Sequence, residues 1–187
     1  FQEEIAEIHK RFGATYLEFA NRFNPSIQLK LIEIKADYPY CHYLPYPTLK
    51  KVGIAYSDAA VINWIKIQFD NLNDYVGVKE KMSGDQIQEL SSLFYYDCYF
   101  LNVAETALFF VKIKTGQYGE FYGSVDPMKI MSAKNVFLNE RVASLQRFAA
   151  KIEQDERQRK RDEWERKAIT YDEYLRIYKT NENESRE

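Results

Sequence analysis

The sequence predicts an all-α protein, built as a compact helical bundle with a long C-terminal helix that projects from it. Apolar residues recur every three or four positions along most of the chain, which is the period of helices with one buried face. Capping patterns, which mark where helices begin, precede several of these segments. No proline or glycine follows Pro127, so the last helix can continue into the charged C-terminal part of the chain.

The N-terminal apolar stripe predicts one helix over residues 2–23. Asn24-Pro25 is expected to end it, because the residue before a proline avoids the helical conformation. Residues 26–35 alternate partly like a strand, but a lone strand would have no partner, so we interpret them as a helix. Three prolines within residues 36–47 predict a loop. Its aromatic side chains favour a strap packed across the bundle over an exposed docking segment.

Four further helices are predicted in the middle of the chain. Their expected ranges are 49–55, 58–76, 84–99 and 103–115, with Thr48, Ser57, Ser83 and Asn102 as the capping residues. The helix over 58–76 is apolar on more than one side, so we expect it to be the central core helix. The aromatic residues between Tyr96 and Phe100 are expected to face inwards.

Residues 115–127, here called the glycine-aromatic loop, connect the last of these helices to one that starts at Asp126-Pro127. Three glycines in this loop can adopt positive φ values and so allow a tight connection. Its rings either plug the end of the bundle or are displayed to a partner, near lysines at both ends of the loop. We favour the plug and keep three rings as candidate partner-binding residues, namely Tyr118, Phe121 and Tyr122.

The composition changes near residue 150, which divides the chain into a helical bundle domain, 1–150, and a charged helical extension, 151–187. Acidic residues precede basic residues by four positions along 151–167, and each such pair stabilises a helix by about 0.2–0.5 kcal/mol. A second capping box at Thr170 predicts a short helix after it. A helix that runs from Pro127 to about residue 167 would be about 60 Å long.

The extension carries a basic run and a tryptophan whose role the sequence leaves open. A solvated helix face is the simplest interpretation of this pattern. The second interpretation is a helix that a partner protein binds, and the third is contact with nucleic-acid phosphates. The candidate partner-binding residues of this segment are Arg157, Arg159, Lys160, Arg161 and Trp164.

Composition and motifs give no indication of catalysis. The net charge is −2, so no global basic excess points to nucleic acid. His9 and His42 lack metal-ligand spacing, Cys41 beside His42 lacks an orienting third group, and Cys98 is expected to be a small buried residue. We therefore predict a non-enzyme with no catalytic residue, cofactor, metal, small-molecule substrate or membrane partner. Its expected location is the cytoplasm or a phage particle.

The glycine-aromatic loop and its flanks resemble part of a known family. The run 107–131 includes Lys114-Thr115-Gly116-Gln117-Tyr118-Gly119, Phe121-Tyr122-Gly123 and Asp126-Pro127. It is similar to a segment of small uncharacterised proteins from bacterial mobile elements and phages, in which a following helix ends in an acid-arginine pair, here Glu140-Arg141. Residues 169–174 also resemble the tail of that family, so the resemblance covers roughly residues 48–178.

The resemblance implies a helical fold and a phage- or plasmid-like setting, but no activity. By analogy alone, such proteins resemble phage replication accessory factors, including helicase loaders. The leading hypothesis is a non-enzymatic binding or adaptor protein of a phage or mobile element, with DNA replication as its suggested setting. One alternative is a structural virion or assembly protein that self-associates through the long C-terminal helix, and another is a weak nucleic-acid-binding protein.

Overall fold

The computed structural model describes residues 2–176, in which all regular secondary structure is helical and no strand occurs. The helices are α1 (Gln2–Phe12), α2 (Tyr16–Arg22), α3 (Ile27–Glu33), α4 (Tyr38–Tyr43), α5 (Leu49–Tyr56), α6 (Asp58–Tyr75), α7 (Gly84–Cys98), α8 (Val103–Lys114) and α9 (Pro127–Lys167). Residues 171–176 are also helical, as the capping box at Thr170 predicts. The predicted all-α fold with a long C-terminal helix is confirmed.

The N-terminal segment forms two helices, so the prediction of one helix over residues 2–23 is wrong. Gly13 separates α1 from α2 with a φ of +130°, a conformation that other residues rarely adopt. Thr15 then starts α2 through a reciprocal capping box with Glu18. Tyr56 of α5 donates a hydrogen bond to the Gly13 carbonyl oxygen at 2.5 Å. The apolar stripe continues on both sides of the break, which is why periodicity alone does not reveal it.

Residues 38–43 form a helix where the prolines predicted a loop. Asp37 caps this helix, and its carboxylate accepts a hydrogen bond from the Tyr40 amide at 2.9 Å. Pro39 lies in the first turn, where a helix does not need the amide proton that proline lacks. The helix packs against α8, and its buried residues are Tyr38, Pro39 and Cys41.

The helices predicted between residues 26 and 115 are present, and the caps predicted for the last four of them are confirmed. In each case the cap side chain accepts a hydrogen bond from the amide three residues later: Thr48 from Lys51, Ser57 from Ala60, Ser83 from Gln86 and Asn102 from Glu105. The caps of α5 and α8 also meet in an isolated β-bridge between Thr48 and Asn102. This bridge joins the N-termini of two helices that are distant in sequence.

The most buried helix is α8, not α6 as expected. Ten residues of α8 are buried, because α3, α4 and α6 surround it, whereas α6 keeps a polar face in solvent. Phe109 lies in ring contact with Phe94 at 5.2 Å and with Phe137 of α9 at 5.4 Å. Phe110 contacts Phe69 of α6 at 4.9 Å. These contacts make α8 the axis on which α6, α7 and the start of α9 pack.

Both cysteines are buried and unpaired. Burial raises the pKa of the Cys41 and Cys98 thiols to about 12, so neither is readily ionised. The interpretation of Cys98 as a small buried residue is confirmed. The raised pKa of Cys41 also disfavours a thiolate nucleophile beside His42.

The chain divides into two units, Phe1–Leu145 and Gln146–Glu187. The first contains α1 to α8 and the first part of α9. In the second unit, the described residues are exposed except for half-buried Leu175. Ion pairs between Glu153 and Arg157 and between Glu163 and Lys167, at 2.5 Å each, follow the predicted spacing of four. Within residues 2–176, no helix has the length and apolar composition needed to cross a membrane.

Candidate functional site

The glycine-aromatic loop forms the junction between α8 and α9. Gly116, Gly119 and Gly123 have φ values of +74°, +85° and +77°, so all three use the conformational freedom that the sequence predicts. Asp126 accepts a hydrogen bond from the Met128 amide at 2.8 Å, which satisfies a donor in the first turn of α9.

The three candidate rings of this loop occupy different environments. Tyr118 and Phe121 are half-buried and pack against the core, as a plug would. Tyr122 is 81% exposed and donates a hydrogen bond to Glu120 at 3.1 Å. The Lys129 ammonium lies 5.2 Å from the centre of the Phe121 ring and 5.9 Å from that of Tyr122. The loop therefore offers one fully displayed ring, Tyr122, to a partner.

Tyr118 also belongs to a hydrogen-bond network centred on Glu140 of α9. The phenols of Tyr38 and Tyr118 donate to the same Glu140 oxygen at 2.5 and 3.2 Å, and the Lys112 ammonium approaches it at 3.4 Å. Partial burial raises the pKa of Glu140, but the hydrogen bond from Tyr38 and the charge of Lys112 outweigh it and lower the pKa overall. Burial raises the pKa of both phenols, which therefore stay protonated as donors.

A second polar cluster lies beside the first, around the buried side chain of Glu105. This residue of α8 is only 1% exposed, and its carboxylate accepts hydrogen bonds from the Nε of Arg141 at 2.7 Å and from the Asn102 amide at 2.9 Å. The Nδ1 of His42 lies 2.9 Å from the same carboxylate oxygen as the Arg141 Nε. A buried carboxylate is tolerated only with such partners, so the cluster ties α4 and α9 to the centre of the bundle.

The Nδ1 of His42 faces two groups that favour opposite protonation states of this nitrogen. A carboxylate only accepts hydrogen bonds, so the contact with Glu105 is favourable when Nδ1 is protonated. The Arg141 Nη2 lies 3.1 Å from the same Nδ1 and cannot donate to it in that tautomer. Such an imidazole is held in one orientation, the arrangement that general bases and metal ligands use. Among the described residues, no group of three or more His, Cys, Asp or Glu side chains could hold a metal ion.

An exposed aromatic surface adjoins the Glu105 cluster. The Arg141 guanidinium lies 5.5 Å from the centre of the Phe100 ring, and the His42 ring contacts Tyr43 at 4.9 Å. Tyr99 contacts Phe100 at 5.9 Å. We define the aromatic surface as Tyr43, Tyr96, Tyr99 and Phe100, which are 61%, 63%, 46% and 41% exposed. The expectation that residues 96–100 face inwards is therefore wrong for Tyr96, Tyr99 and Phe100.

A shallow groove of about 330 Å³ lies at one end of the aromatic surface. Its lining consists of Lys50, Ile54, Asp58, Tyr95, Tyr96 and Tyr99. The Tyr95 hydroxyl donates to Asp58 at 2.5 Å, which fixes the floor of the groove. The Lys50 ammonium lies 5.8 Å from the centre of the Tyr99 ring and supplies a positive rim. The groove extends the aromatic surface towards α5.

The five candidate residues of the charged extension lie in the other unit. Arg157, Arg159, Lys160, Arg161 and Trp164 are all exposed, and Trp164 is 79% exposed. Arg157 pairs with Glu153, as expected for a solvated helix face. The structure thus brings Phe121 and Tyr122 together around Lys129, whereas Tyr118 belongs to the Glu140 network. The basic run and Trp164 lie on a separate unit.

The sequence contained one signal for the polar clusters and none for the aromatic surface. Glu140 and Arg141, the acid-arginine pair of the family resemblance, each anchor one of the two clusters. One partner of each, Tyr38 for Glu140 and His42 for Arg141, comes from α4, which the sequence did not predict as a helix. Tyrosine is common both in cores and at interfaces, so residue type alone does not reveal that Tyr96 and Tyr99 are exposed.

Comparison with known proteins identifies a family but no function. Residues 81–185 match the model of DUF6633, a family of unknown function. Searches among curated proteins and among solved structures find no significantly similar chain. The predicted membership of an uncharacterised family is confirmed. Because the match covers more than half of the chain, the protein belongs to DUF6633.

Proposed function

We propose that this member of DUF6633 is a non-enzymatic adaptor protein that binds a partner protein through its aromatic surface. The observation that carries the proposal is a connected group of large, exposed aromatic residues. Tyr96 and Tyr99 line one groove, and Tyr99 contacts Phe100. Arg141 and His42 link Phe100 to Tyr43. Scattered exposed apolar residues are normal on a protein surface, but a contiguous patch marks an interaction site. Tyrosine and arginine are also the residue types enriched among those that dominate binding energy.

The Glu105 cluster supports this proposal because it holds part of the surface rigid before a partner arrives. Glu105 fixes the guanidinium of Arg141, which in turn lies over the ring of Phe100. Tyrosine and phenylalanine have few rotatable bonds, so their ordering on binding costs little conformational entropy. A preordered surface loses less free energy on association than a flexible one.

A protein partner accounts for this surface better than a nucleic acid does. The chain has a net charge of −2, and affinity for nucleic acid depends mainly on neutralising phosphates. Arg141 is neutralised by buried Glu105, and Asp58 lines the groove beside Lys50. The surface therefore offers stacking rings with little net positive charge, which favours the apolar and polar contacts of a protein interface.

The non-enzymatic part of the proposal is supported by the way the polar clusters are satisfied. Among the described residues, every buried side-chain nitrogen or oxygen has a hydrogen-bond partner within the protein. Glu105 and Glu140 each accept hydrogen bonds from several donors, and at least one donor of each lies on another helix. This is the expected arrangement for groups that fix a fold. Both clusters can thus be explained by their structural role alone.

The test compares capture of host proteins by immobilised wild-type protein and by a Tyr96→Ala/Tyr99→Ala variant. We expect the variant to lose the main wild-type partner by at least about tenfold, because it removes two central rings. Leu17→Ala, at a residue of α2 that is 67% exposed, is the matched control and should retain the partner. Equal capture by the wild type and the double variant would contradict the proposal.

Two further variants separate this proposal from the sites predicted by sequence. Tyr122→Ala tests the glycine-aromatic loop, and Trp164→Ala tests the charged extension. If either variant alone fails to capture the partner, the binding site lies in the segment that carries that substitution. Light scattering on the same proteins detects self-association, and a salt titration against single- and double-stranded DNA detects nucleic-acid binding. If self-association or DNA binding is lost in the double variant, then a second copy of the chain or DNA, and not another protein, is the ligand of the aromatic surface.

The cellular setting of the adaptor is a separate part of the proposal. A phage or mobile-element origin, a role in DNA replication, and a cytoplasmic or virion location are supported only by the resemblance of residues 107–131. The neighbours of the gene test this directly. Replication genes would support an accessory role in replication, whereas capsid genes would support the alternative of an assembly protein.

A further inference from the structure

A second groove, of about 420 Å³, opens where α3 meets the C-terminal ends of α6 and α8. The groove is lined by Pro25, Ser26, Gln28, Leu29, Ile32, Asn71, Tyr75, Lys114 and Thr115. Leu29, Ile32 and Tyr75 supply its apolar walls and are 62%, 44% and 61% exposed. Three large apolar side chains that share one groove leave considerable apolar area in contact with water. The groove lies outside the aromatic surface and shares no lining residue with it.

The lysine of this groove is held by amide oxygens. The Lys114 ammonium donates hydrogen bonds to the amide oxygens of Gln28, at 2.7 Å, and Asn71. It also lies 5.4 Å from the centre of the Tyr75 ring. Among the described residues, Lys114 forms no ion pair and no carboxylate lines the groove. Partial burial lowers the pKa of Lys114, so a nearby carboxylate would relieve an unfavourable environment for its charge.

The position of this ammonium is fixed by the helices around it. The Gln28 side chain donates from its amide nitrogen to buried Gln68 at 2.8 Å, which turns its oxygen towards Lys114. Gln68 lies on α6 and is completely buried, so it anchors this network in the core. The Lys114 ammonium therefore lies at a fixed position beside the apolar walls, where it can pair with an acidic group.

We propose that this groove binds an amphipathic helix of a partner protein, with apolar side chains placed between Leu29, Ile32 and Tyr75 and a carboxylate paired with Lys114. Leu29 and Ile32 are one turn apart on α3, so apolar residues spaced three or four apart on a docking helix can pack against them. A small molecule with an apolar body and a carboxylate is the other ligand that these residues could bind. The walls of the groove are too exposed to enclose such a molecule, whereas a helix would cover the groove along its length. The attraction between Lys114 and an acidic residue sets the orientation of the helix.

A displayed library of helix-forming peptides with one randomised face tests this proposal on the full-length protein. We expect the selected peptides to carry large apolar residues three or four positions apart, with Asp or Glu on the same face. No enriched peptide, or enrichment without acidic residues, would overturn the proposal. Binding of a selected peptide to the Tyr96→Ala/Tyr99→Ala protein should be unchanged, so this result is independent of the aromatic surface.

Substitutions then assign the selected peptide to the groove. We expect Leu29→Ser and Lys114→Met each to weaken binding of a fluorescent selected peptide by about tenfold or more. Leu17→Ser, at a similarly exposed residue of α2, should leave the affinity unchanged, and circular dichroism checks that each variant is folded. Because Leu29 is largely exposed, its substitution tests the groove even if Lys114→Met perturbs the fold.

A charge swap tests the ion pair itself. Lys114→Glu should bind the original acidic peptide weakly and regain affinity for the same peptide with Lys in place of its acidic residue. The proposal is wrong if both Leu29→Ser and Lys114→Met bind as tightly as the wild type, or if the charge swap gives no recovery.

Discussion

At the scale of single residues, Glu105 shows how a buried charge organises its surroundings. Its carboxylate is almost completely removed from water and depends on Arg141, His42 and the Asn102 amide for compensation. The net contribution of such a pair to stability is small, because both charges lose hydration on folding. Removing one partner is costly, however, because the other charge then remains buried and unpaired.

This reasoning predicts a large effect for Arg141→Met. The variant should lower the free energy of unfolding by about 3–5 kcal/mol, because the Glu105 carboxylate loses its main positive partner. Urea denaturation, followed by circular dichroism, measures the change. Arg11→Met removes an exposed ion pair with Glu7 and should cost less than about 1 kcal/mol. If the two variants are equally stable, the Glu105 cluster does not have the structural role assigned to it.

Residue-level prediction from the sequence succeeded where a side chain acts on its own neighbours. Ser83 and Asn102 cap helices through amides three residues away, so their patterns are visible in the sequence. Glu105 stands three residues after its cap Asn102, a position that does not reveal its tertiary partners. Its partners His42 and Arg141 lie 63 and 36 positions away, and only the tertiary fold brings them together.

At the scale of helices, α4 was not predicted from the sequence, although it contributes one residue to each of the two polar clusters. It places Tyr38 against Glu140 and, one turn later, His42 against Glu105. The three prolines between residues 36 and 47 argue against a helix when they are counted together. Their positions matter more than their number, because Pro39 lies in the first turn and the others follow the last.

The cap of α4 should therefore affect more than local stability. Asp37→Ala removes the side-chain acceptor of the Tyr40 amide and should lower the free energy of unfolding by about 1 kcal/mol. Asp37→Asn keeps an equally good cap and should cost only a few tenths of that amount. Thermal unfolding compares the two variants. Equal melting temperatures for Asp37→Ala and the wild type would show that tertiary packing alone holds α4.

At the scale of the molecule, periodicity and caps were enough to predict the fold class but not the arrangement of surfaces. α8 is nearly all apolar as far as Lys112, so its burial was predictable, but its place at the centre of the bundle instead of α6 was not. α7 carries apolar and aromatic residues on several faces, and packing against α6 selects which of them is buried. Tyr96, a residue of α7 that this packing leaves exposed, forms part of the aromatic surface.

The two tryptophans allow the stability of each unit to be measured separately. Trp64 is completely buried in the first unit and donates a hydrogen bond to the Phe23 carbonyl at 2.8 Å, whereas Trp164 of the second unit is 79% exposed. In a Trp164→Phe variant, urea should produce one sharp red shift of Trp64 emission, because the first unit has a continuous core.

The second unit should behave differently, because its described residues, 146–176, bury little apolar surface. In a Trp64→Phe variant, emission of Trp164 should already be solvent-like without urea and should change little during unfolding. Far-ultraviolet circular dichroism of the Trp164→Phe protein should begin to lose helical signal below the urea concentration of the Trp64 transition, because exposed helices melt gradually. A single coincident transition for all probes would contradict this prediction, because it would show that the charged helix unfolds cooperatively with the core.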